Sequence, residues 1–243
     1  MKMVRVLLIC FTLVLAVTAL HRPKYLEPCS KTHNFTACAL DHAKKAIPHL
    51  LNGDKHLKIP PMNPLRISLV DLQGGKNFHL LAKNIKVFGL DKVEVLDIDV
   101  DFDKMEAHTL STVPRLEILS DYEMTGHLMI FPINGHGPAN ITLLNGLYQY
   151  NFRWEREYRN GEEYAKLANS SYDYKLRDVH YDFKNLFDGN EILSNEINKV
   201  LNDNWELVNE DLKQSILETL LVIHNDIFRK IYLKVPFREL FLP

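Results

Sequence analysis

Residues 190–232 read NEILSNEINKVLNDNWELVNEDLKQSILETLLVIHNDIFRKIY. In this stretch Leu193, Ile197, Val200, Leu201, Trp205, Val208, Leu212, Ile216, Leu220, Ile223, Ile227 and Ile231 recur at steps of three and four, the period of one face of an α-helix. Neither Pro nor Gly interrupts the run. The pattern therefore predicts a single helix of roughly 40 residues, on the order of 60 Å long at about 1.5 Å per residue. Most globular helices have three or four turns, and an apolar stripe of this length needs an equally long partner to bury it.

The partner is upstream. From residue 65 the period becomes that of strands, with candidates at Leu65–Leu72, Phe78–Phe88, Val93–Phe102, Leu116–Ile133, Ile141–Trp154, Tyr164–Asn169 and Tyr172–Phe183. The run Leu116–Ile133 would extend roughly 55 to 60 Å at about 3.3 Å per residue, so helix and strand match in length. Gly74-Gly75 and Asn160-Gly161 supply the residues that tight hairpins need, and Gly135-His136-Gly137-Pro138 reads as a break between two long runs. In the third candidate the apolar set changes parity, from Val93 and Val95 to Leu96, Ile98, Val100 and Phe102, which predicts a bulge near Val95. The fold class is α+β, a long C-terminal helix wrapped by a strongly curved, mainly antiparallel sheet. A helix shared between two subunits is the alternative. Coiled-coil pairing fits less well, because the apolar face is broad and includes Trp205.

Ahead of the strands, Leu40, Ala43, Ile47, Leu50 and Leu51 mark a short helix interrupted by Pro48 and ended by Asn52-Gly53. Ile59-Pro60-Pro61-Met62-Asn63-Pro64-Leu65 is too rich in proline for a regular element and reads as a stiff connector. At the start of the chain, Lys2 and Arg5 precede an apolar run from Val6 to Leu20, with small residues at Val17-Thr18-Ala19. This predicts a secretory signal peptide over residues 1–19, followed by one domain over 20–243. No later run is long and apolar enough for a membrane span, so no stable membrane insertion is expected.

Cleavage after Ala19 would remove Cys10 and leave Cys29 and Cys38 as the only cysteines in a chain bound for an oxidising compartment, where they should form a disulfide. Asn34-Phe35-Thr36, Asn140-Ile141-Thr142 and Asn169-Ser170-Ser171 are glycosylation sequons consistent with secretion. The 243 residues carry 29 basic and 31 acidic side chains, so nothing in the net charge of −2 would gather nucleic acid.

Catalytic signatures are missing from the sequence: there is no Gly-x-Ser-x-Gly elbow, His-Glu-x-x-His, Walker-type loop or Cys-x-x-Cys. No enzyme, cofactor or metal is expected. His42 and His49 near Asp41 read as solvated surface. The alternation Asp97, Asp99, Asp101 and Asp103 reads as the wet face of a strand, since calcium loops draw their ligands from a glycine-containing turn. His224, beside the apolar stripe, could meet a ligand's polar head but is expected to bond a backbone group. Tyr148, Tyr150, Phe152, Tyr172 and Tyr174 read mostly as sheet packing.

Four segments together resemble a known family: the Cys29 to Cys38 pair with its short helix; Leu57-Lys58-Ile59-Pro60-Pro61-Met62-Asn63-Pro64-Leu65; Tyr122-Glu123-Met124-Thr125-Gly126-His127-Leu128 through Gly135-His136-Gly137; and Asn185-Leu186-Phe187-Asp188-Gly189 leading into Leu201-Asn202-Asp203-Asn204-Trp205. Closed by Val235-Pro236-Phe237-Arg238-Glu239-Leu240-Phe241, their order and spacing resemble the insect takeout and juvenile hormone binding proteins over nearly the whole mature chain. The resemblance is to the takeout-like branch, because no cysteine follows Cys38 where the hormone-binding branch usually has a second disulfide. It implies a super-roll fold of TULIP-like type, with an internal apolar tunnel that carries a hydrophobic ligand.

A tunnel between the long helix and the concave sheet would draw its lining from their apolar faces. The strand candidates are Ile98, Val100, Phe102, Leu116, Ile118, Tyr122, Met124, Leu128 and Ile130. The helix candidates are Leu193, Ile197, Leu201, Trp205, Val208, Leu212, Ile216, Leu220 and Ile223. The expected function is a secreted, extracellular carrier of a small lipid- or terpenoid-like ligand. The competing reading is a secreted glycoprotein that signals or binds a receptor with a solid core, and an esterase acting on the ligand comes third. An end-to-end packed interior would favour the solid-core reading.

Overall fold

A computed structural model describes residues 21–74, 77–128, 131–187 and 190–243. The expected signal peptide, Cys10, Gly75, Ile130 and the Asp188-Gly189 pair fall outside the described residues. In chain order the elements are β1 (Cys29–Ser30), α1 (Phe35–Leu51), β2 (Leu65–Gly74), β3 (Phe78–Phe88), β4 (Glu94–Asp101), β5 (Glu106–Leu128), β6 (Phe131–Arg159), β7 (Glu162–Lys175), β8 (Asp178–Phe183), α2 (Glu191–Asp203), α3 (Trp205–Tyr232), α4 (Phe237–Leu240) and β9 (Phe241–Leu242).

Two strands organise the rest. β5 has 23 residues and β6 has 29, and they pair antiparallel along their length. One edge of β5 is shared in tandem by β4, against Glu106–Thr112, and β3, against Glu117–Thr125. One edge of β6 is likewise shared by β8, against Ala139–Leu144, and β7, against Leu147–Arg159. Extended at about 3.3 Å per residue, β6 would reach about 95 Å, whereas the 28 residues of α3 make a rod of about 42 Å. The strands must coil around the helix.

Extra residues supply the coiling. The β4–β5 ladder shifts between Val95 and Asp97, at the predicted bulge, and further shifts fall between Lys83 and Lys86 and between Arg153 and Trp154. Pro114 and Asn145 drop out of the β5–β6 ladder opposite each other. Asn84 and Asn145 take positive φ, 54° and 46°, the conformation of a bulged residue that Asn tolerates best among residues with a side chain. The Asn160-Gly161 turn closes the β6–β7 hairpin with φ of 52° and 80°, as its sequence predicts.

The roll is closed by α3, which touches β2 and β7, at opposite edges of the sheet path. On the β2 side Ser215 Oγ donates to the Gln73 carbonyl at 2.8 Å, and on the β7 side the Tyr174 hydroxyl donates to Asn209 Oδ1 at 2.8 Å. A sheet edge would otherwise expose unpaired backbone groups.

Four sequence expectations need correction. The predicted single rod is two helices, broken at Asn204, whose φ of −125° is not helical. Asn204 Nδ2 donates to the Val200 carbonyl at 2.8 Å, the competition with the main chain that makes Asn a poor helix former. The predicted strand Leu116–Ile133 spans a hairpin, since Leu128 pairs with Phe131, and its first arm starts ten residues earlier at Glu106. The predicted break at Gly135–Pro138 lies inside β6. Gly135 is there because the Leu186 backbone crosses it: a Cβ would fall 2.5 Å from the Leu186 carbonyl oxygen. The strand predicted over Tyr172–Phe183 instead divides between β7 and β8, with Arg177 N bonded to the Leu144 carbonyl at 3.1 Å.

At the N-terminal end, Cys29 and Cys38 are disulfide-bonded, and β1 pairs with β9, tying the two ends of the chain together. α1 runs through Pro48. The proline-rich connector buries Ile59 and Met62 with Leu57 and Val235 in a small core.

Ordinary domains have one contiguous core. Here the buried apolar residues form four separate clusters, met in turn along α3. Val208 and Leu212 join Leu80, Met124 and Leu186; Ile216 and Leu220 pack on Ile85, Val113 and Tyr148; Ile227 and Ile231 pack on Leu57 and Val235; Phe228 joins Ala107 and Trp154. Members of all four border one internal cavity.

Candidate ligand cavity

The inner surface of the roll encloses a cavity of about 740 Å³, lined from β2 to β8 and by α1 and α3. On α3 its wall runs from Val208 to Tyr232, about 36 Å at the helical rise. Well-packed interiors have few voids larger than one water, and sites for small molecules span about 300 to 1,000 Å³.

Of the residues expected to line a tunnel, Ile98, Val100, Leu116, Ile118, Tyr122 and Met124 lie on the sheet wall, and Val208, Leu212, Ile216, Leu220 and Ile223 on the helix wall. Phe102 does not. It packs in an aromatic cluster with Phe35 and Phe241, ring centroids 5.1 and 5.2 Å away. Leu193, Ile197, Leu201 and Trp205 are also off the wall, and the reason is the break at Asn204. α2 docks on β8, burying Ile197 and Leu201 in the first core cluster, packing Trp205 against it and leaving Leu193 half-exposed. The side chain of Leu128, like Ile130, lies outside the described residues.

The wall has parts that the sequence reading left out. β2 and β3 contribute Ile67, Val70, Leu80 and Ile85, and α1 contributes Ala43 and Ile47. Period-two alternation marked those strands, but nothing in it says which face encloses space.

The second omission is polar. Ser111, Tyr148 and Tyr174 are consecutive partners across β5, β6 and β7, and Thr109, Tyr150 and Tyr172 form the next row. All but Tyr150 line the cavity. The Tyr150 hydroxyl donates to Asn225 Oδ1 at 2.8 Å. These two rows make a polar waist, flanked by Val113 on one side and by Ala107, Phe152 and Trp154 on the other. Burial pushes the phenols of Tyr148 and Tyr150 up to about 12. Tyr172 and Tyr174 are also raised by burial. All four are neutral hydrogen-bonding groups at ordinary pH.

His224 has the expected backbone partner, with Nδ1 2.9 Å from the Leu220 carbonyl, and it also stands on the wall. Desolvation holds its pKa below the ordinary imidazole value. Nearer one end, the Tyr122 hydroxyl donates to the Lys184 carbonyl at 2.7 Å.

The other candidates separate. Asp41 pairs with Lys45 at 2.6 Å, His42 with Glu27 at 3.1 Å, and His49 stacks on Tyr25. Cys29, Cys38 and His42 are close together, but both sulfurs are held in the disulfide and offer no thiolate. Asp101 caps its own turn, accepting from Asp103 N and Lys104 N. Of the sequons, Asn34 and Asn169 are exposed. Asn140 sits in β6 between β5 and β8, with Nδ2 bonded to Glu117 at 2.9 Å and Oδ1 buried.

A curved antiparallel sheet rolled around one long helix, with an apolar cavity between them, defines an α+β, TULIP-like class of fold. The fold is shared with the crystal structure of Takeout 1 from Epiphyas postvittana, which superposes with a TM-score of 0.80 at 21% identity over 89% of this chain and 100% of that one. The chain belongs to the haemolymph juvenile hormone binding protein family, whose sequence model matches residues 6–242. Among curated relatives, the circadian clock-controlled protein daywake of Drosophila yakuba is 23% identical over 230 residues, 90% of this chain and 88% of the relative. Daywake of Drosophila melanogaster is 23% identical over 216 residues, 84% and 83% of the two chains.

Proposed function

We propose that this protein is a secreted carrier that holds one small hydrophobic molecule, lipid- or terpenoid-like, inside the roll. The observation that carries the reading is the cavity of about 740 Å³, whose wall is almost entirely hydrocarbon. Transfer of a ligand chain from water gains about 0.8 kcal/mol per methylene. About fifteen such groups supply about 12 kcal/mol, which leaves micromolar affinity after an association cost of about 4 kcal/mol. A solid-core signalling module has no use for such a void. Family membership supports the same reading, and the N-terminal sequence, which reads as a signal peptide over 1–19, and the Cys29–Cys38 disulfide support secretion. The mature protein is a single domain over 20–243, and the reading assigns it no catalytic step.

Native mass spectrometry of the secreted protein, before and after organic extraction, tests this. A bound mass that extraction removes, and a cavity that then takes up a fluorescent lipid probe, are expected. No bound mass together with no probe uptake would remove the carrier reading.

A further inference from the structure

Two polar atoms at the waist of the cavity have no protein partner among the described residues, and they differ in kind. Tyr148 is only 8% exposed, yet its hydroxyl bonds nothing. Its ring folds over Gly146, where a Cβ would lie 2.4 Å from that hydroxyl, so the phenol keeps its place only because residue 146 has no side chain. The other atom is Nε2 of His224. Because the Leu220 carbonyl can only accept, Nδ1 is the protonated nitrogen. The neutral ring then presents Nε2 as a bare lone pair.

Among the described residues no side chain donates a hydrogen bond to Nε2; the one bond of the ring is that of Nδ1 to the Leu220 carbonyl. Tyr172 and Tyr150 lie 4.5 and 5.3 Å from the imidazole by ring centroids, and the Tyr150 proton is committed to Asn225. Farther along, the Tyr174 proton is committed to Asn209. The formally charged groups on the wall, Glu27 and His42, bond each other beside α1. His224 keeps part of its surface accessible while standing on the cavity wall, which places that surface toward the ligand.

We propose that the ligand carries an O–H group, the hydroxyl of a long-chain alcohol or the un-ionised carboxyl of a fatty acid, that donates to His224 Nε2 at the waist. This rests on the carrier reading and names the ligand chemistry within it. An ester, ether or ketone brings only acceptors, which would set lone pair against lone pair at Nε2. A donor satisfies it. The Tyr148 hydroxyl, able to donate or accept, serves the same oxygen or a second one. Apolar walls on both sides of the waist fit a molecule whose oxygen lies along its length or at one end of a chain that fills one arm.

The test uses the full secreted protein after delipidation, with hexadecanol, palmitic acid, methyl palmitate and hexadecane competing against a fluorescent apolar probe. Hexadecanol or palmitic acid should displace the probe at concentrations about tenfold below methyl palmitate, the worth of one well-made hydrogen bond. A preference for the acid that grows as pH falls identifies the carboxyl as the donor, and a pH-independent preference for the alcohol identifies the hydroxyl. In His224→Phe the preference should vanish, alcohol and acid displacing the probe no better than the ester, and in His224→Gln, which restores an acceptor, it should partly return. Equal displacement by alcohol, acid and ester in the native protein overturns the proposal and leaves the carrier reading standing. A preference that persists in His224→Phe overturns the assignment to His224. Failure of every compound to displace the probe, with no lipid on the purified protein, overturns both.

Discussion

Asn202 treats Tyr181 as a neighbouring strand would: its Oδ1 accepts from the Tyr181 amide at 2.7 Å and its Nδ2 donates to the Tyr181 carbonyl at 2.9 Å. Asn198 repeats the pairing with Phe183, at 2.9 and 2.8 Å. The spacing explains why both succeed. Four residues of helix rise about 6.0 Å and two residues of strand about 6.6 Å, so one face of α2 runs in register with the free edge of β8. The edge is thereby covered by side chains and cannot template pairing with another chain.

Replacing either Asn by Ala strands both backbone groups of its partner at a half-buried edge. Each single change should cost about 1–3 kcal/mol in urea unfolding, and the double change should release α2, raising amide exchange at Tyr181 and Phe183. Unaltered exchange in the double variant would refute the clamp.

The phenols of the waist give a prediction of opposite signs. Tyr148→Phe removes a buried hydroxyl that has no partner, so the ligand-free protein should be unchanged or slightly more stable. Tyr174→Phe instead leaves Asn209 Oδ1 unpaired and should cost about 1–3 kcal/mol. Thermal melts of the delipidated variants decide between them. Two equal losses would mean that the Tyr148 hydroxyl does have a partner.

Much of this architecture was legible beforehand. The three-and-four periodicity marked the helical span though not its break at Asn204, the parity change marked the bulge after Val95, and the stripe residues Val208, Leu212, Ile216, Leu220 and Ile223 stand on the cavity wall. The same stripe misled at its N-terminal end, because periodicity reports which face is apolar and not what that face meets: Ile197 and Leu201 meet β8, Val208 and Leu212 meet open space as well. The tyrosines were misjudged for a related reason. Alternation at Tyr148, Tyr150, Tyr172 and Tyr174 is identical for a packed sheet face and for a cavity wall. The difference arises from curvature, which depends on the bulge at Asn84 and the gap in the ladder at Asn145, neither of which carries a strong sequence mark.

A hollow interior and a full one respond differently to added volume. Overpacking a close-packed core costs about 1–3 kcal/mol. Leu220 stands on the cavity wall, so Leu220→Trp should be accepted by the ligand-free protein with little loss of stability while probe affinity falls at least about tenfold. Should the change destabilise the protein by that full core penalty and leave probe binding intact, Leu220 would face packed atoms and not the ligand.

Acid should weaken the fold through His224. Desolvation lowers its pKa in the folded protein, whereas in the unfolded chain it takes up a proton near the ordinary value of about 6.5. Below that pH the unfolded state holds the extra proton and the folded state does not, so stability declines as pH falls, until the folded ring also charges. The groups facing the ring, Tyr150 and Tyr172, are neutral phenols and offer an imidazolium no countercharge. Asp54 and Glu239, whose pKa values the fold depresses through bonds to Tyr25 and Leu57 and to Arg22 and His21, add losses only in the lower carboxylate range. Urea midpoints of the delipidated protein between about pH 7.5 and 5 should therefore fall, and His224→Gln should flatten that upper limb while leaving the steeper carboxylate-driven loss below it. Parallel limbs in the two proteins would show that His224 is solvated and takes its proton as readily folded as unfolded.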